Sequence, residues 1–543
     1  MRLFGTDGIR GKVVADGESD DDAINSLFTM RTICPRLFRL IGEALGATLA
    51  KGDEVVIGWD LRPDNSGLVE AITQGFHLRG ISVIWVGDVA TPALQACLLE
   101  RGAKIGCMVT ASHNPVADSG VKIFDSHGYK SMPPFEDQVS DIVAQLAAEE
   151  REIDIPELKR ISQPDGRMDG RVIHRQVLEK RLALFTENLA KNSSNHAPSI
   201  PPEGIALDTS GGSAQEWLVE WLINNGINVF SVGNPTGLNV DCGAGDFSPN
   251  DNWSWEELIS YSGQHALLIH LSEYCQNGRP EHWDEGFVVG AALDGDGDRC
   301  LLIVVVEGGL AIFDGDMMAD AILRSGGAGW QLAASIETDL GLNVDFQTAV
   351  GDRWLSAALA KSFSALEGFL HDEAMPKIVG SEDSGHLVLP SPHPTLTGHW
   401  SLVGDGVATL LAVLSADRGL GGICLGGFTR GWKRRISIKG VERSRWDGEN
   451  SLSDMVEDLA RDSVMNWGEC QDWRRTAIAG ETSLLLLEAT LNGQPVSIGI
   501  RNSGTEAKTN VSIRMAPEIS MLSNLAQQLL EVIEEVLKRE LID

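Results

Sequence analysis

The chain has 543 residues, which exceeds the size at which one hydrophobic core stops growing, so we expect about three or four domains. Its 43% hydrophobic and 22% charged residues are typical of a folded protein and not of a disordered one. The formal net charge of -33 argues against nucleic acid and anionic membranes as partners, because both are polyanions.

The sequence predicts neither a membrane segment nor a secretion signal. The longest apolar runs, such as Cys300–Val306, fall far short of the roughly 20 residues that cross a bilayer. The opening MRLFGTDGIR lacks the apolar stretch of a signal peptide. The eight cysteines form no C-x-x-C pair and no metal-ligand spacing, so we expect reduced packing residues. Together these features favour a cytoplasmic protein.

Strand and helix patterns alternate in two parts of the chain. In the first part, strands are predicted at 55–60, 81–86 and 105–110, with a helix at 66–79. In the second part, a helix at 214–224 lies between strands at 205–210 and 227–232. Because single helices separate these strands, we expect parallel sheets covered by helices on both faces.

Changes in composition mark the predicted connections. The charged run 147–157 is interpreted as a break, and the glycine-rich stretch 419–427 as a hinge before the last domain. Residues 191–202, rich in Pro, Ser and Asn, are interpreted as a surface connection inside the second domain. Residues 14–31 and 261–285 look like insertions, which we interpret as solvated surface loops without chemistry.

The last segment has the pattern of an amphipathic helix. Apolar residues recur on one predicted face at Leu522, Leu525, Leu529, Val532, Ile533 and Val536. This stripe indicates core packing.

The motif TASHNP, residues 110–115, ends a predicted strand. Ligands of open α/β sheets lie beyond the carboxyl ends of the strands, so Ser112 is expected at an active edge. A serine nucleophile normally needs an adjacent base, but neighbouring side chains on a turn usually point apart, which argues against a Ser112–His113 dyad. A plain turn stays open as an alternative for this motif alone.

The motif LDGDGDR, residues 293–299, alternates aspartate with small residues. Asp294, Asp296 and Asp298 can converge on a cation, and hard oxygen ligands suit Mg²⁺ or Ca²⁺ rather than zinc. An EF-hand is excluded, because Arg299 and Val305 occupy the positions where that loop needs Gly and Glu. A phosphatase with Asp294 as the nucleophile and a solvated acidic turn both stay open as alternatives.

The motif GSEDSGH, residues 380–386, places three polar side chains in a loop of small residues. Glu382 and Ser384 can hydrogen-bond vicinal hydroxyls of a sugar, with the His386 imidazole nearby. Taken alone, this is a weak signal.

The motif RNSGTEAKTNV, residues 501–511, has the composition of a phosphate site. Arg501 can bind a phosphate through two parallel hydrogen bonds, and Ser503 and Thr505 offer hydroxyls. Gly504 lets backbone N–H groups approach an anion without a Cβ in the way. A plain turn is the alternative.

Five motifs in this order resemble the α-D-phosphohexomutase family: FGTDGIRG at 4–11, TASHNP, DGDGDR, E-x-S-G-H and R-x-S-G-T-E. The likeness covers essentially the whole chain apart from the two insertions, and the stretch 233–246 is most similar to the phosphoglucosamine mutases of that family. It implies an α/β protein with three related mixed α/β domains and a C-terminal α+β domain around a central cleft. The implied domains are 1–155 with the phosphoserine loop, 156–306 with the metal-binding loop, 307–428 with the sugar-specificity loop, and 429–543 with the phosphate-binding loop.

The resemblance also implies a role for each motif residue. Ser112 would carry the phosphoryl group, and Asp294, Asp296 and Asp298 would hold Mg²⁺ together with a phosphate oxygen on Ser112. Arg10 and Arg299 would line the transfer site, Lys122 would be a general acid or base, and His386 its counterpart near the sugar. Glu382 and Ser384 would bind sugar hydroxyls, and Arg501, Ser503, Gly504 and Thr505 would hold the phosphate that is not reacting.

The implied activity interconverts glucosamine 6-phosphate and glucosamine 1-phosphate through a phosphoserine enzyme and a bisphosphate intermediate. Three features depart from the family pattern: Ala507 replaces the usual Pro, Asn510 replaces a common basic residue, and the loop at 390–403 is longer than usual. Phosphomannomutase or phosphoglucomutase activity by the same mechanism is the alternative for the substrate. A metal-dependent phosphatase and an inactive sugar-phosphate binding protein are the alternatives for the class of protein.

Overall fold

The computed structural model describes residues 3–17, 19–149, 155–191, 199–233, 237–362, 368–504 and 507–542. Within these residues the strands form four sheets, and each sheet comes from one continuous stretch of the chain. Each sheet and its helices form one unit, and the units are numbered in chain order. The predicted mixed α/β fold class is confirmed.

The first sheet is mixed and carries helices on both faces. Its strands are β1 (Ile9–Val13), β2 (Thr32–Ile33), β3 (Glu54–Trp59), β4 (Ser82–Asp88), β5 (Ile105–Val109), β6 (Asp118–Asp125) and β7 (Gly166–Arg167). They lie in the order β2-β1-β6-β5-β3-β4-β7. The helices of this stretch are α1 (Asp20–Met30), α2 (Pro35–Ala47), α3 (Asn65–Leu78), α4 (Thr91–Arg101), α5 (Pro133–Ala147), α6 (Ile155–Arg160) and α7 (Gly170–Leu189).

The packing of strand β3 explains why its sequence is continuously apolar. Val55 and Ile57 pack into one buried cluster with residues of α2 and α3, whereas Val56 packs into a second cluster with residues of α4. Successive side chains of a strand point to opposite faces, so a strand covered on both sides needs apolar residues at every position.

The second sheet has the order β10-β13-β12-β11-β8-β9. Its strands are β8 (Ile205–Asp208), β9 (Val229–Ser231), β10 (Asn252–Ser254), β11 (Val288–Leu293), β12 (Cys300–Val306) and β13 (Gly309–Phe313). Its helices are α8 (Leu218–Asn224), α9 (Trp255–Ile259) and α10 (Ala266–Tyr274).

The third sheet has the order β15-β14-β17-β18-β19-β16. Its strands are β14 (Gln331–Ser335), β15 (Phe346–Thr348), β16 (Leu370–His371), β17 (Ile378–Ser381), β18 (Leu387–Pro392) and β19 (His399–Gly404). Its helices are α11 (Gly315–Gly326), α12 (Asp352–Ser362) and α13 (Gly406–Leu420).

The fourth sheet is antiparallel throughout, in the order β20-β24-β23-β22-β21. Its strands are β20 (Trp432–Lys439), β21 (Cys470–Arg475), β22 (Leu484–Leu491), β23 (Gln494–Asn502) and β24 (Lys508–Met515). Its helices are α14 (Ser451–Trp467) and α15 (Ser520–Ile542).

The first three sheets share one strand arrangement. In each, three parallel strands are followed by one antiparallel strand, in the orders β4-β3-β5-β6, β9-β8-β11-β12 and β15-β14-β17-β18. The strands that single helices separate are therefore parallel, as predicted, and the antiparallel fourth strand makes each of these sheets mixed. Only a short loop separates the last two strands, and a short loop joins antiparallel partners, whereas a parallel connection needs a crossover.

The strands run past two of the predicted domain boundaries. Strand β7 lies beyond residue 155 yet pairs with β4, and β13 lies beyond residue 306 yet pairs with β12. The boundaries themselves stay predictions.

Both predicted surface insertions contain a packed helix, so the interpretation as solvated loops was wrong. In α1, Ala23, Ile24 and Leu27 are buried against the first core, and Ser19 and Asp22 form a capping box at its start. In α10, Leu267, Leu268 and Leu271 are buried against the second sheet. Apolar residues three or four apart give each helix one buried face despite its polar surroundings.

The C-terminal helix packs as predicted except at one position. Leu522, Leu529 and Ile533 are buried in α15, and Leu525 and Val536 pack at the edge of the same core. Val532 is 43% exposed and does not belong to the buried face. Among the described residues, no helix combines the length and apolarity that a membrane span requires.

Candidate active site

The four predicted chemical motifs occupy corresponding places, because each lies on the hairpin between two neighbouring antiparallel strands. The Ser112 motif joins β5 to β6, and the aspartate motif joins β11 to β12. The Glu382 motif joins β17 to β18, and the Arg501 motif joins β23 to β24. Thr505, predicted to bind phosphate, lies outside the described residues.

Ser112 is buried and directed at the aspartate motif. Its Oγ donates a 2.7 Å hydrogen bond to Asp294 Oδ2, and its backbone N–H donates to Thr110 Oγ1 at 2.8 Å. Its φ of +55° lies in the left-handed region that L-residues rarely adopt. The Ser112 hydroxyl thus pairs with a carboxylate and not with His113. The Arg299 charge, together with burial, lowers the pKa of His113 to about 2 and keeps that imidazole neutral.

Asp294, Asp296 and Asp298 converge as predicted. Each is at most 1% exposed, and one carboxylate oxygen from each lies within 4.8 Å of the others. Among the described residues, Oδ1 of Asp296 and Oδ1 of Asp298 are buried without a hydrogen-bond partner. Burial, followed by the charges of Asp298 and Asp296, raises the pKa of Asp294 to about 7. Unpaired hard oxygens in a crowded anionic cluster fit a divalent cation such as Mg²⁺.

Lys122 lies against the same carboxylates. Its Nζ is 2.6 Å from Oδ2 of Asp296 and 2.6 Å from Oδ2 of Asp298, and its side chain is 1% exposed. A third carboxylate, that of Asp7, lies 3.4 Å away. Burial opposes the charged lysine, but these three carboxylates raise the pKa of Lys122 well above its usual value. Lys122 therefore carries a proton beside the aspartate cluster.

His386 extends this network into the third sheet. Its Nε2 lies 3.3 Å from Asp352 Oδ2 and 3.7 Å from Asp298 Oδ2. Burial acts against the charged form, but these two carboxylates raise the pKa of His386 above its ordinary value. The imidazole therefore connects the Glu382 motif to the aspartate cluster.

Glu382 and Ser384 lie in the same turn as His386. The Glu382 Oε2 is 3.8 Å from His386 Nδ1, and its Oε1 accepts a 2.7 Å hydrogen bond from the Gly351 N–H. Burial raises the pKa of Glu382. Ser384 is half-buried.

The two predicted arginines flank the Ser112 loop. Arg10 donates from Nη1 to the Ala111 carbonyl at 3.3 Å and from Nη2 to Asp7 Oδ2 at 2.6 Å. The Arg299 backbone N–H donates to Asp294 Oδ1 at 3.2 Å, and its Nε lies 3.9 Å from Asp294 Oδ2. Both guanidinium groups are thus held close to the Ser112–Asp294 pair.

A cavity of about 690 Å³ joins the first unit to the fourth. Arg10 and His113 line it from the first unit, and Arg501, Ser503 and Gly504 line it from the fourth. Among the described residues that line it, six are cationic (Arg10, Lys12, Arg31, Arg435, Arg501 and Lys508) and one, Asp118, is acidic. This local excess of positive charge in a chain of net charge -33 makes the cavity suitable for an anion.

Two details of this cavity concern the Arg501 motif. Arg501 Nη2 donates to Glu337 Oε1 at 3.1 Å, so the guanidinium is already oriented by a carboxylate. A Cβ on Gly504 would lie 2.3 Å from Thr6 Oγ1, so a side chain at that position would collide with the first unit.

Asn510, which departs from the family pattern, accepts a hydrogen bond from Ser437, while Lys508 and Arg435 line the cavity nearby.

Three charged residues near Lys122 and His386, namely Asp7, Lys130 and Asp352, were not predicted from the sequence. Lys130 Nζ lies 2.9 Å from Asp7 Oδ1 and 2.9 Å from Asp352 Oδ1, which links the first and third sheets. Asp7 is part of the quoted motif FGTDGIRG, which offered a signal. Lys130 and Asp352 stand in no motif that distinguishes them.

Comparison with known proteins identifies relatives of this chain. Residues 1–150 match the family model described as phosphoglucomutase/phosphomannomutase, alpha/beta/alpha domain I. A phosphoglucosamine mutase of Agrobacterium fabrum is 30% identical over 432 residues, which cover 76% of this chain and 78% of that protein. A phosphoglucosamine mutase of Rhizobium johnstonii is 28% identical over 442 residues, which cover 77% and 79% of the two chains.

Solved structures share the fold at lower identity. A phosphoglucomutase/phosphomannomutase family protein of Burkholderia thailandensis matches with a TM-score of 0.57 at 18% identity, covering 98% of this chain and 97% of that one. The phosphoglucomutase parafusin of Paramecium matches with a TM-score of 0.57 at 16% identity, covering 99% and 95%. The resemblance found in the sequence motifs is thereby confirmed, and the chain belongs to the phosphohexomutase family, in which its similarity is greatest to phosphoglucosamine mutases.

Proposed function

We propose that this protein interconverts glucosamine 6-phosphate and glucosamine 1-phosphate through a phosphorylated Ser112. The observation that carries the proposal is the 2.7 Å hydrogen bond between Ser112 Oγ and Asp294 Oδ2, within the buried aspartate cluster. The names of the similar curated proteins support glucosamine phosphates as the substrate class. We further propose a cytoplasmic protein, because of the sequence features given above.

The proposed reaction is a pair of phosphoryl transfers. In the first, the bond between phosphorus and Ser112 Oγ breaks, and a bond forms between phosphorus and a hydroxyl oxygen of the sugar phosphate. The proton of that hydroxyl leaves, and Ser112 Oγ gains one, so charge and atoms balance. The second transfer runs in reverse from the other phosphate of the bisphosphate and restores phospho-Ser112. Such transfers depend on positioning and on stabilising charge over the phosphoryl oxygens.

The aspartate cluster is the proposed site of Mg²⁺. Asp294, Asp296 and Asp298 would hold the ion together with a phosphoryl oxygen on Ser112, and the ion would offset negative charge on the transferred group. The two unpaired buried oxygens, on Asp296 and Asp298, are the observation that supports this assignment.

Lys122 and His386 are the proposed proton carriers. Both are buried beside carboxylates that raise their pKa, so each holds a proton that it can give to an oxygen atom. Overall, one proton moves from the sugar hydroxyl to Ser112 Oγ. A residue that has protonated Ser112 Oγ can then accept the proton that the sugar hydroxyl releases. Arg10 and Arg299 are proposed to bind the phosphoryl oxygens during this step.

The basic cavity is the proposed binding site of the phosphate that is not reacting. Arg501, Ser503 and Gly504, which line this cavity, would bind that phosphate. Glu382 and Ser384 would bind the sugar hydroxyls. A bisphosphate that turns end over end would then present either phosphate to Ser112. The predicted hinge at 419–427 would allow the fourth unit to follow this movement.

The alternatives differ in measurable products. A phosphomannomutase or phosphoglucomutase would use the same residues on another hexose phosphate. A phosphatase would use Asp294 as the nucleophile, but Oδ2 of that carboxylate accepts the hydrogen bond of Ser112, which favours serine as the reacting group.

The proposal is tested by mutase turnover with Mg²⁺ on the 6-phosphates of glucosamine, glucose and mannose, with the Ser112→Ala variant as control. We expect glucosamine 6-phosphate to be preferred and the variant to be inactive. Preference for another sugar would keep the mechanism and change the substrate. Retained activity in Ser112→Ala, or release of free phosphate alone, would contradict the phosphoserine mechanism.

A further inference from the structure

Two side chains from different parts of the chain bind the backbone of the Ser112 loop. Arg62, which follows β3, donates from Nη2 to the carbonyl oxygens of Ser112 and Asn114 at 2.7 and 3.0 Å. Asn239, which follows β9, donates from Nδ2 to the same two oxygens at 2.7 and 3.1 Å. One short stretch of backbone is thus held from two units.

Arg62 anchors the loop within the first unit. Its Nη1 donates to the carbonyls of Pro115 and Asp118 at 2.5 and 2.7 Å, and its Nε donates to Asp60 Oδ2 at 3.0 Å. Asp60 also accepts a 2.6 Å hydrogen bond from Thr110 Oγ1. Ser112 is buried and lies outside the strands, so its carbonyl group needs such a donor in place of a strand partner.

Asn239 connects that loop to the second unit. Its Oδ1 accepts a 2.7 Å hydrogen bond from Ser210 Oγ, and its N–H donates to the Ser210 carbonyl at 3.0 Å. A Cβ on Gly295 would lie 2.8 Å from Asn239 Oδ1, so the carboxamide packs directly on the backbone between Asp294 and Asp296. The Asn239 side chain therefore lies between the serine loop and the aspartate loop.

The conformation of Asn239 suits this place. Its φ is +56°, a left-handed value that asparagine adopts more readily than most residues. One carboxamide supplies both a donor and an acceptor, and here the donor faces the Ser112 loop while the acceptor faces Ser210. A carboxylate of the same shape would lack the donor.

We propose that Asn239 is a positioning residue that sets the separation of the Ser112 loop from the Asp294–Asp298 loop during phosphoryl transfer. The inference rests on the proposed function for its kinetic consequence and on the hydrogen bonds above for its geometry. Asn239 does not line the basic cavity, so it acts on the transferring group through Ser112 and not on the sugar phosphate.

The Asn239→Asp variant tests this role with Asn492→Asp as the matched control. Asn492 also has a left-handed φ, of +50°, and its Oδ1 accepts a 2.9 Å hydrogen bond from the Glu469 N–H, which an aspartate retains. In Asn239→Asp a carboxylate oxygen faces two carbonyl oxygens, so we expect kcat to fall by about 100-fold, the scale of a small misplacement of reacting groups. KM should change less than twofold, and Asn492→Asp should match the unmodified protein in both.

A second variant keeps the test informative if Asn239→Asp fails to fold. Asn239→Gly retains the left-handed backbone and removes the carboxamide without adding charge. We expect it to lower kcat by about tenfold at unchanged KM, which is the size expected from the loss of about one net hydrogen bond. The proposal would be overturned by a wild-type kcat in both Asn239 variants. It would also be overturned if they raised KM instead of lowering kcat, or if Asn492→Asp lowered kcat equally.

A measurement independent of activity separates this inference from the proposed function. Amide hydrogen exchange of residues 112–118 should be about tenfold faster in Asn239→Asp than in the unmodified protein or in Asn492→Asp. If the unmodified protein lacked mutase turnover, the proposed function would fail, and the exchange data would still decide whether Asn239 holds the loop. An unchanged rate of amide hydrogen exchange in residues 112–118 would contradict the inference, whatever the mutase turnover.

Discussion

Ser112 donates a hydrogen bond of 2.7 Å from Oγ to Oδ2 of Asp294, a residue 182 positions further along the chain. The two residues lie on corresponding hairpins of two separate sheets, β5–β6 and β11–β12. Their contact places a hydroxyl directly beside a cluster of buried carboxylates. The chemistry of the site therefore depends on how two independently formed loops meet.

The backbone at Ser112 predicts a difference between two inactive variants. Ser112→Ala and Ser112→Gly both remove the hydroxyl, and both should lose mutase turnover. Because φ is +55°, alanine keeps the left-handed strain and glycine relieves it. We expect the free energy of unfolding to be about 1 kcal/mol higher for Ser112→Gly than for Ser112→Ala, as measured by urea denaturation. A less stable glycine variant would contradict the left-handed conformation.

The unpaired oxygens of Asp296 and Asp298 predict that Mg²⁺ stabilises the folded protein. At a Mg²⁺ concentration 100 times the dissociation constant, binding should add about 2.7 kcal/mol to the free energy of unfolding. The measurement is thermal unfolding across a Mg²⁺ titration. Asp296→Asn should lose most of this shift, whereas Asp462→Asn, at an exposed position of α14, should retain it. An equal shift in both variants would place the ion elsewhere.

The sequence predicted the mixed α/β fold class and the convergence of Asp294, Asp296 and Asp298, whereas the roles of the site residues stay predictions. Each motif residue was recognisable because short loops of Gly, Asp, Ser and Arg carry their chemistry locally. The antiparallel strands β6, β12 and β18 of the first three sheets were not predicted, because the direction of each depends on the short loop that precedes it. Asn239 was missed as a loop contact because its partners, Ser112 and Asn114, lie over 100 residues away.

The position of Arg501 predicts that its substitution weakens binding of the sugar phosphate without slowing the chemical step. Its guanidinium lines the cavity and is oriented by Glu337 at 3.1 Å, a geometry suited to two parallel bonds to a phosphate. Arg501→Lys keeps the charge and loses the paired donors, so we expect KM for the sugar phosphate to rise about tenfold or more. Steady-state kinetics measures this, with Arg474→Lys, an exposed residue paired with Glu488, as the control. An unchanged KM in Arg501→Lys would remove this residue from the phosphate site.

The first insertion reaches the basic cavity, which its sequence did not indicate. Helix α1 ends at Met30, and Met30 and Arg31 both line the cavity. Arg31 donates from Nη2 to the Arg10 carbonyl at 3.1 Å, which fixes it beside a residue of the proposed transfer site. The polar run ESDDD suggested a solvated loop, but Ser19 and Asp22 cap a helix whose other end reaches the basic cavity.

Arg31 therefore predicts a contribution of the insertion to substrate binding. Arg31→Gln removes one of the cations that line the cavity, and we expect KM to rise about threefold, the scale of one partly exposed charge interaction. The kcat should change little, because Arg31 donates to the backbone carbonyl of Arg10, whereas the Arg10 guanidinium is held by Asp7 and the Ala111 carbonyl. Arg36→Gln is the control, since Arg36 pairs with Asp20 at 3.0 Å and lies outside the cavity. A KM that rises equally in Arg36→Gln would assign the effect to the fold of α1.

The net charge of -33 predicts a stability that increases with salt. Like charges repel one another more in the compact state than in the unfolded chain, so repulsion lowers the free energy of unfolding. The screening length falls from about 10 Å at 0.1 M salt to about 3 Å at 1 M, which weakens this repulsion between surface carboxylates. The buried ion pairs of the site, such as Lys122 with Asp296 at 2.6 Å, are screened much less. We therefore expect the midpoint of thermal unfolding to rise between 0.1 and 1 M KCl, and to rise similarly in tetramethylammonium chloride. A rise in KCl alone would indicate specific binding of potassium, and a fall in both salts would mean that surface ion pairs outweigh the repulsion.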